Sequence, residues 1–213
     1  SKWKKSQHCS RLFESIRYED VIVNSAVEEN KKYSLYVFLF TLLHPLSRGN
    51  ISLNSSDPKD KPLIYANYFG DLKDLQSTAE GIKLLTRIVN SKFFKSIDGH
   101  VGRMNWPECN QLELDSIDYW KCVAYNMVVT VYHPVGTAKM GPDASTAVVD
   151  SRLRVHLMKK LRVVDASIMP TITSGNTNGP VIMIAERASD LIKEDYNTFY
   201  MVFIPSLYKL LDM

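Results

Sequence analysis

Between residues 71 and 89 the apolar positions fall at Leu72, Leu75, Ala79, Ile82, Leu85 and Val89. Steps of three and four put them on one stripe of a helix. Asp71 is suited to be its N-cap. Gly81 lies inside this stretch and costs about 1 kcal/mol against Ala, so tertiary packing has to hold the helix. The run FFKSI continues it. A second helix opens at Asp115 or Ser116 and carries Ile117, Trp120, Val123 and Ala124. A third is written in PVIMIAERASDLIKED, with Val181, Ile184, Ala188 and Leu191 as its apolar face. Pro180 suits the first helical position, and Asn178 or Gly179 its cap.

Elsewhere the period is two or the run is continuously apolar. YSLYVFLFTLL (33–43) is β-branched and aromatic and predicts a strand. Val21–Val23 predicts a shorter one. After the turn HPLSRGN, the segment ISL resumes an extended pattern, and LIYANYF follows the loop SSDPKDKP. Neighbouring strands with tight connections imply an antiparallel sheet. NMVVTVYHP predicts a strand that delivers His133. VVDSRLRV and LRVVDAS predict two short strands around HLMKK, followed by the polar loop IMPTITSGNTNGP. The expected class is α+β: a mainly antiparallel sheet with helices on one side. Residues 1–32 read as the edge of something larger.

Composition narrows the function classes. Of 213 residues, 45% are hydrophobic and 23% charged, which excludes disordered and collagen-like chains. The net charge is +3 with Lys and Arg dispersed, so no basic stripe for nucleic acid is present. The longest apolar runs, LYVFLF and FYMVFIP, fall far short of the ~20 residues that span a bilayer. SKWKKSQHCSRLFE contains no apolar leader core. Cys9, Cys109 and Cys122 permit at most one internal disulfide. Cys109 and Cys122 flank a short segment and are the favoured pair, with the reduced pair as the alternative.

Metal chemistry has no support in the spacings. His100, Cys109, Cys122 and His133 fit no ordinary zinc pattern, so no metal site is expected. GTAKMG has the glycine spacing of a phosphate loop but lacks the Gly-Lys-Ser/Thr ending. No Gly-x-Gly-x-x-Gly occurs. His133 sits in VYHPVGTAKMG, where Pro134 biases it to extended backbone and so restricts where its ring points. An imidazole can accept a proton near neutral pH. On spacing alone a structural histidine is the plainer reading. The loop SGNTNGP adds Asn176 just ahead of a helix N-terminus, whose free amides and partial positive charge suit an anion or an electron-rich ring. A plain capped turn is the alternative.

Three blocks, TVYHPVGTAKMGP, VVDSRLRVH and LRVVDASIMPTITSGNTNGPVIMIAERASDLI, resemble the C-terminal third of the glucose–methanol–choline (GMC) oxidoreductases. Within that family they are most similar to the insect glucose dehydrogenase-like (FAD, quinone) members. LLHPLSRGNISLNSSDPKDKPLIYANYF is similar to the segment that opens the family's substrate domain. The resemblance covers roughly residues 33–195 and leaves out the family's glycine-rich FAD fingerprint. It implies an oxidoreductase of CH–OH groups that uses FAD, with an alcohol or sugar as substrate and a quinone or other electron acceptor. His133 matches the active-site histidine that takes the hydroxyl proton as hydride passes to flavin N5. Asn176 matches the second active-site position, and Tyr132 lies beside the pocket. Asp165 and Ala166 match the stretch along the FAD pyrophosphate and ribityl chain. Thr177 and Asn178 match the backbone that meets the flavin ring. Domain boundaries follow: a substrate domain at 33–160, pieces completing an FAD domain at 161–196, and a tail at 197–213. Secretion is suggested by the same likeness.

The departures are local. Many members carry Gly on either side of the turn between RLRVH and LRVVD; here Leu157 and Lys160 stand there. A backbone that needs positive φ at those places strains both residues. Ala138 replaces a frequent Cys, and Gly179 a usual Ala. The alternative to a catalytic segment is an inactive remnant or binding module that lacks the nucleotide-binding half.

Overall fold

A computed structural model of the chain describes residues 20–196. The expected tail 197–213 lies outside them. The described residues divide into two compact units, one ending at Tyr132 and the other beginning at His133. This boundary, set by the packing of the chain, differs from the expected one at 160.

In the first unit, Val21–Val23 belong to helix α1 (Asp20–Lys32), not to a strand. The three-residue patch was too short to show the helical spacing of Ile22, Val23 and Ala26, which are buried together. Asp20 in the first turn and Lys31 and Lys32 in the last complement the helix dipole. Helix α2 (Leu72–Thr86) starts as expected at Asp71, whose side chain accepts from Lys73 N at 2.9 Å. It tightens into a 3-10 turn at Arg87–Asn90. FFKSI does not continue it: Ser91 turns the chain and caps a separate short helix, α3 (Lys92–Ser96). Helix α4 (Ile117–Met127) is capped by Ser116, whose Oγ accepts from Tyr119 N at 3.0 Å.

Helices α1, α2 and α4 share one core with Ala79, Trp106, Cys109, Tyr119, Trp120 and Val123. Burial pushes the Tyr119 phenol up in pKa, and its oxygen accepts from Met104 N at 3.0 Å. Lys83 bridges α2 to the start of α4 through Asp115 Oδ2 at 2.6 Å. Asp115 also accepts from Trp120 Nε1 at 2.8 Å. Burial opposes its charge, but these donors outweigh burial and hold the carboxyl below its ordinary range. The expected disulfide is present and joins Cys109 to Cys122.

The sheet is small. Strands β1 (Asn50–Ser52) and β2 (Leu63–Tyr65) pair antiparallel, with Asn50 opposite Tyr65, Ile51 opposite Ile64 and Ser52 opposite Leu63. Residues 33–43 are not a strand, contrary to their composition. β-Propensity reports a fit to a pleated, half-buried surface, and no neighbouring strand flanks them among the described residues. Their aromatic rings pack locally instead: Tyr36 meets Phe94 edge-on at 5.4 Å between centroids. Phe40 lies over Gly81, where an added Cβ would collide with the ring. The following turn hangs on Asp74, which is 4% exposed and accepts from Leu46 N, Ser47 N and Ser47 Oγ.

In the second unit the expected strands reduce to single bridges: Met140 with Val149, Val149 with Val155, and Arg154 with Arg162. NMVVTVYHP is not a strand either; α4 absorbs Met127, and residues 128–133 run without a ladder partner. Val149, Leu153, Ile168, Met169, Ile184, Ala188 and Leu191 form a second core. The last three belong to helix α5 (Asn178–Asp195), 18 residues long. Its N-cap is Thr177 rather than Asn178 or Gly179, which makes Pro180 the third helical residue and not the first. The fold is thus mixed: helices with a small antiparallel sheet.

Candidate active site

His133 opens the second unit and is half-buried. Several constraints fix its segment. Val135 packs on the second core. Gly136 turns the chain with φ +87°, and a Cβ there would lie 3.2 Å from Met169 O. Ala138 N donates to Ser167 O at 3.0 Å and Met140 N to Ile168 O at 2.8 Å. The histidine loop therefore runs bonded along residues 167–168, immediately after Asp165 and Ala166. Farther on, the His156 ring nitrogen Nε2 lies 3.1 Å from Gly141 O and steadies the end of the same loop.

The ring of His133 meets the head of α5. Its Nδ1 lies 2.9 Å from Thr177 Oγ1, and Thr177 is only 8% exposed. This pairing explains an oddity of the helix. A threonine at the N-cap usually accepts from a first-turn amide, yet Thr177 makes no side-chain cap bond. Its hydroxyl serves the histidine. Asn178 and Gly179, at the opening of α5, are exposed, and a Cβ on Gly179 would meet nothing within 4 Å.

The other end of α5 is anchored. Arg152 reaches Glu194 Oε2 at 3.1 Å, Asp195 Oδ1 at 2.6 Å and Leu191 O at 3.1 Å. Arg162 pairs with Asp195 and donates to Arg152 O. Arg162 first, and Arg152 after it, hold the Asp195 carboxyl below its usual range against a smaller effect of burial. Near Arg152, burial raises the Asp150 pKa, but the Arg154 and Arg152 amides and the Arg154 guanidinium bring it below the ordinary value. Two arginines thus grip one end of α5, and the histidine–threonine pair fixes the other.

Of the residues singled out by sequence, the structure brings His133 and Thr177 into contact. Asn176 immediately precedes Thr177 and is exposed. Asn178 is the first residue of α5 and also exposed. Asp165 is exposed and caps the 3-10 turn Ala166–Ile168, accepting from Ser167 N at 2.7 Å. Ala166 packs at the margin of the second core. Tyr132 ends the first unit, 79% exposed, with φ +63°. The side-chain role of Thr177 was not legible in the sequence, because a threonine before a helix predicts an ordinary cap. His100, Cys109, Cys122 and His133 do not form a ligand set, since the disulfide consumes both cysteines.

This mixed fold is similar to oxidoreductase C-terminal domains. The GMC oxidoreductase family model matches residues 45–185, and the chain belongs to that family. It is 44% identical over 168 residues to an ecdysone oxidase of Bombyx mori, covering 79% of this chain and 24% of the relative. It is 38% identical over 165 residues to glucose dehydrogenase [FAD, quinone] of Drosophila melanogaster, covering 77% and 26%. A solved formate oxidase from Aspergillus oryzae RIB40, in which FAD modification was studied, superposes with a TM-score of 0.66 at 32% identity, covering 75% of this chain and 27% of that one. The chain spans about a quarter of the length of the relatives it matches.

Proposed function

We propose that this chain supplies the proton-accepting half of an FAD-dependent oxidoreductase that acts on the CH–OH group of an alcohol or sugar. The observation that carries the reading is the 2.9 Å contact between His133 Nδ1 and Thr177 Oγ1. With Nδ1–H donating to the threonine, Nε2 keeps its lone pair and can accept the hydroxyl proton. The same bond survives protonation, so the imidazolium keeps its orientation. Asn176, one residue from Thr177, hydrogen-bonds the substrate oxygen and shares its developing charge with the imidazolium. Tyr132 flanks the substrate.

The residues present fit FAD. Exposed first-turn residues with no side-chain cap, at the head of an 18-residue helix, favour an electron-rich partner. Asn178 and the Thr177 backbone are the groups assigned to the ring, and Asp165 and Ala166 to the pyrophosphate and ribityl portion. When bound, FAD supplies the two-electron acceptor for the carbon-bound hydride. The proposed division of labour gives residues 33–160 to the substrate side and 161–196 to the cofactor side. A quinone or another acceptor completes the turnover, as the name of the Drosophila relative indicates for that protein.

Because the chain spans a quarter of its relatives' length, the activity belongs to a protein of their length that carries these residues. In such a protein, His133→Ala is expected to lower dye-coupled alcohol oxidation by about 10²–10⁴-fold. Thr177→Val is expected to lower kcat by about tenfold, the equivalent of one hydrogen bond, while Thr177→Ser restores it. Unchanged kcat in His133→Ala at full flavin content removes the histidine from the reaction. Flavin absorbance in the isolated 213-residue chain would overturn the inactive-remnant reading.

A further inference from the structure

We propose that Asn54 is an acceptor for N-linked glycosylation, carried by this chain independently of its redox chemistry. Asn54-Ser55-Ser56 and Asn50-Ile51-Ser52 both have the Asn-x-Ser form with no proline at x. Such a triplet matters only where the chain enters an oxidising, glycosylating compartment and where a bulky polar sugar can be accommodated. Both conditions have support in the same unit. Cys109 is fully buried and joined to Cys122, and a structural disulfide of this kind forms in secretory compartments. Residues 50–66 form one continuous exposed stretch, with Leu53 beside the acceptor 86% exposed.

The surroundings favour Asn54 over Asn50. Asn50 is in register with Tyr65 in the two-stranded sheet, and the chain next to it is pressed close: a Cβ on Gly49 would collide with Tyr65 O. Asn54 lies beyond the strand, at the bend that opens the β1–β2 connection. That connection is organised through other side chains. Ser55 Oγ donates to Asp60 Oδ2 at 2.6 Å, Asp57 N donates to Ser55 Oγ at 3.0 Å, and Lys59 N donates to Asp57 Oδ1 at 2.9 Å. A glycan on Asn54 therefore leaves both the ladder and the loop's own bonds in place. One large glycan four residues away also obstructs a second at Asn50.

In the transfer, Asn54 Nδ2 loses a proton and forms a bond to the anomeric carbon of a lipid-diphosphate-linked oligosaccharide. The glycosyl–phosphate bond breaks, the lipid diphosphate leaves with the bonding electron pair, and the amide proton passes to solvent. No oxidant or reductant is required.

The test is expression of the full 213-residue chain behind a secretion leader in insect cells, followed by glycosidase treatment and peptide mass spectrometry. The expected result is one mobility shift on deglycosylation and an aspartate at position 54 after enzymatic release. Asn54→Gln and Ser56→Ala are each expected to abolish the shift, and Asn50→Gln to keep it. The same readout is taken on the membrane fraction, so a variant that is made but not secreted still reports. A wild-type chain without glycan, or a glycan retained in both Asn54→Gln and Ser56→Ala, overturns the proposal. Loss of the shift in Asn50→Gln alone moves the site to Asn50 and also overturns it.

Discussion

At the scale of single residues, the backbone shows where this chain departs from an easier solution. Leu157 and Lys160 both adopt left-handed backbone, with φ of +62° and +59°. The strain expected from their identity at these two places is present. Leu157 is also 96% exposed, so burial offsets nothing. The hairpin is closed from outside the turn, by Val155 N bonded to Leu161 O at 3.0 Å and by the Arg154–Arg162 bridge. Those pairings dictate the turn that its residues dislike. Each of Leu157→Gly and Lys160→Gly is therefore expected to stabilise the second unit by about 1 kcal/mol. Denaturant unfolding monitored in that unit checks the pair, and a loss of stability on either change refutes the strain account.

At the scale of elements, the helices α2, α4 and α5 were legible, and of the expected strands only ISL and LIYANYF form a ladder, as β1 and β2. The apolar stripes of α2, α4 and α5, and the caps Asp71 and Ser116, are local properties, so a window of sequence contains them. A strand needs a partner, and YSLYVFLFTLL has the right composition but no described neighbour to pair with. VVDSRLRV and LRVVDAS likewise form bridges instead of ladders. The candidate site shows the same split. His133 and the loop 176–178 were readable as motifs, whereas the bond from His133 to Thr177 joins positions 44 residues apart. Gly81 tests how packing overrides propensity. Alanine is the better helix former by about 1 kcal/mol, but a methyl here runs into the Phe40 ring. Gly81→Ala is expected to destabilise α2 by about 1–3 kcal/mol through overpacking. Adding Phe40→Leu should recover part of that loss. Thermal melts of the single and double variants decide it, and a Gly81→Ala chain that melts higher would show that the ring gives way freely.

For the whole molecule, the two compact units rest on separate cores. One gathers Ala79, Cys109, Tyr119 and Trp120; the other gathers Val149, Leu153, Ile168 and Ala188. The described part of the chain carries a covalent cross-link in only the first of them. Cys109 and Cys122 lie 13 residues apart, and closing a loop of that size removes unfolded-state entropy equivalent to about 3 kcal/mol. The second unit is instead held by the ion pairs of Arg152 and Arg162 with Asp195 at the end of α5. Replacing both cysteines by alanine should therefore lower stability unevenly. Native-state hydrogen exchange is expected to accelerate at amides of α2 and α4, whose protection reports the first core. Amides of α5, including Ala188 and Leu191, should keep their wild-type protection, and with them the His133–Thr177 contact at the helix head. Equal loss of protection in α5 would mean that the two units unfold as one, and the candidate site would then depend on a cross-link outside its own unit.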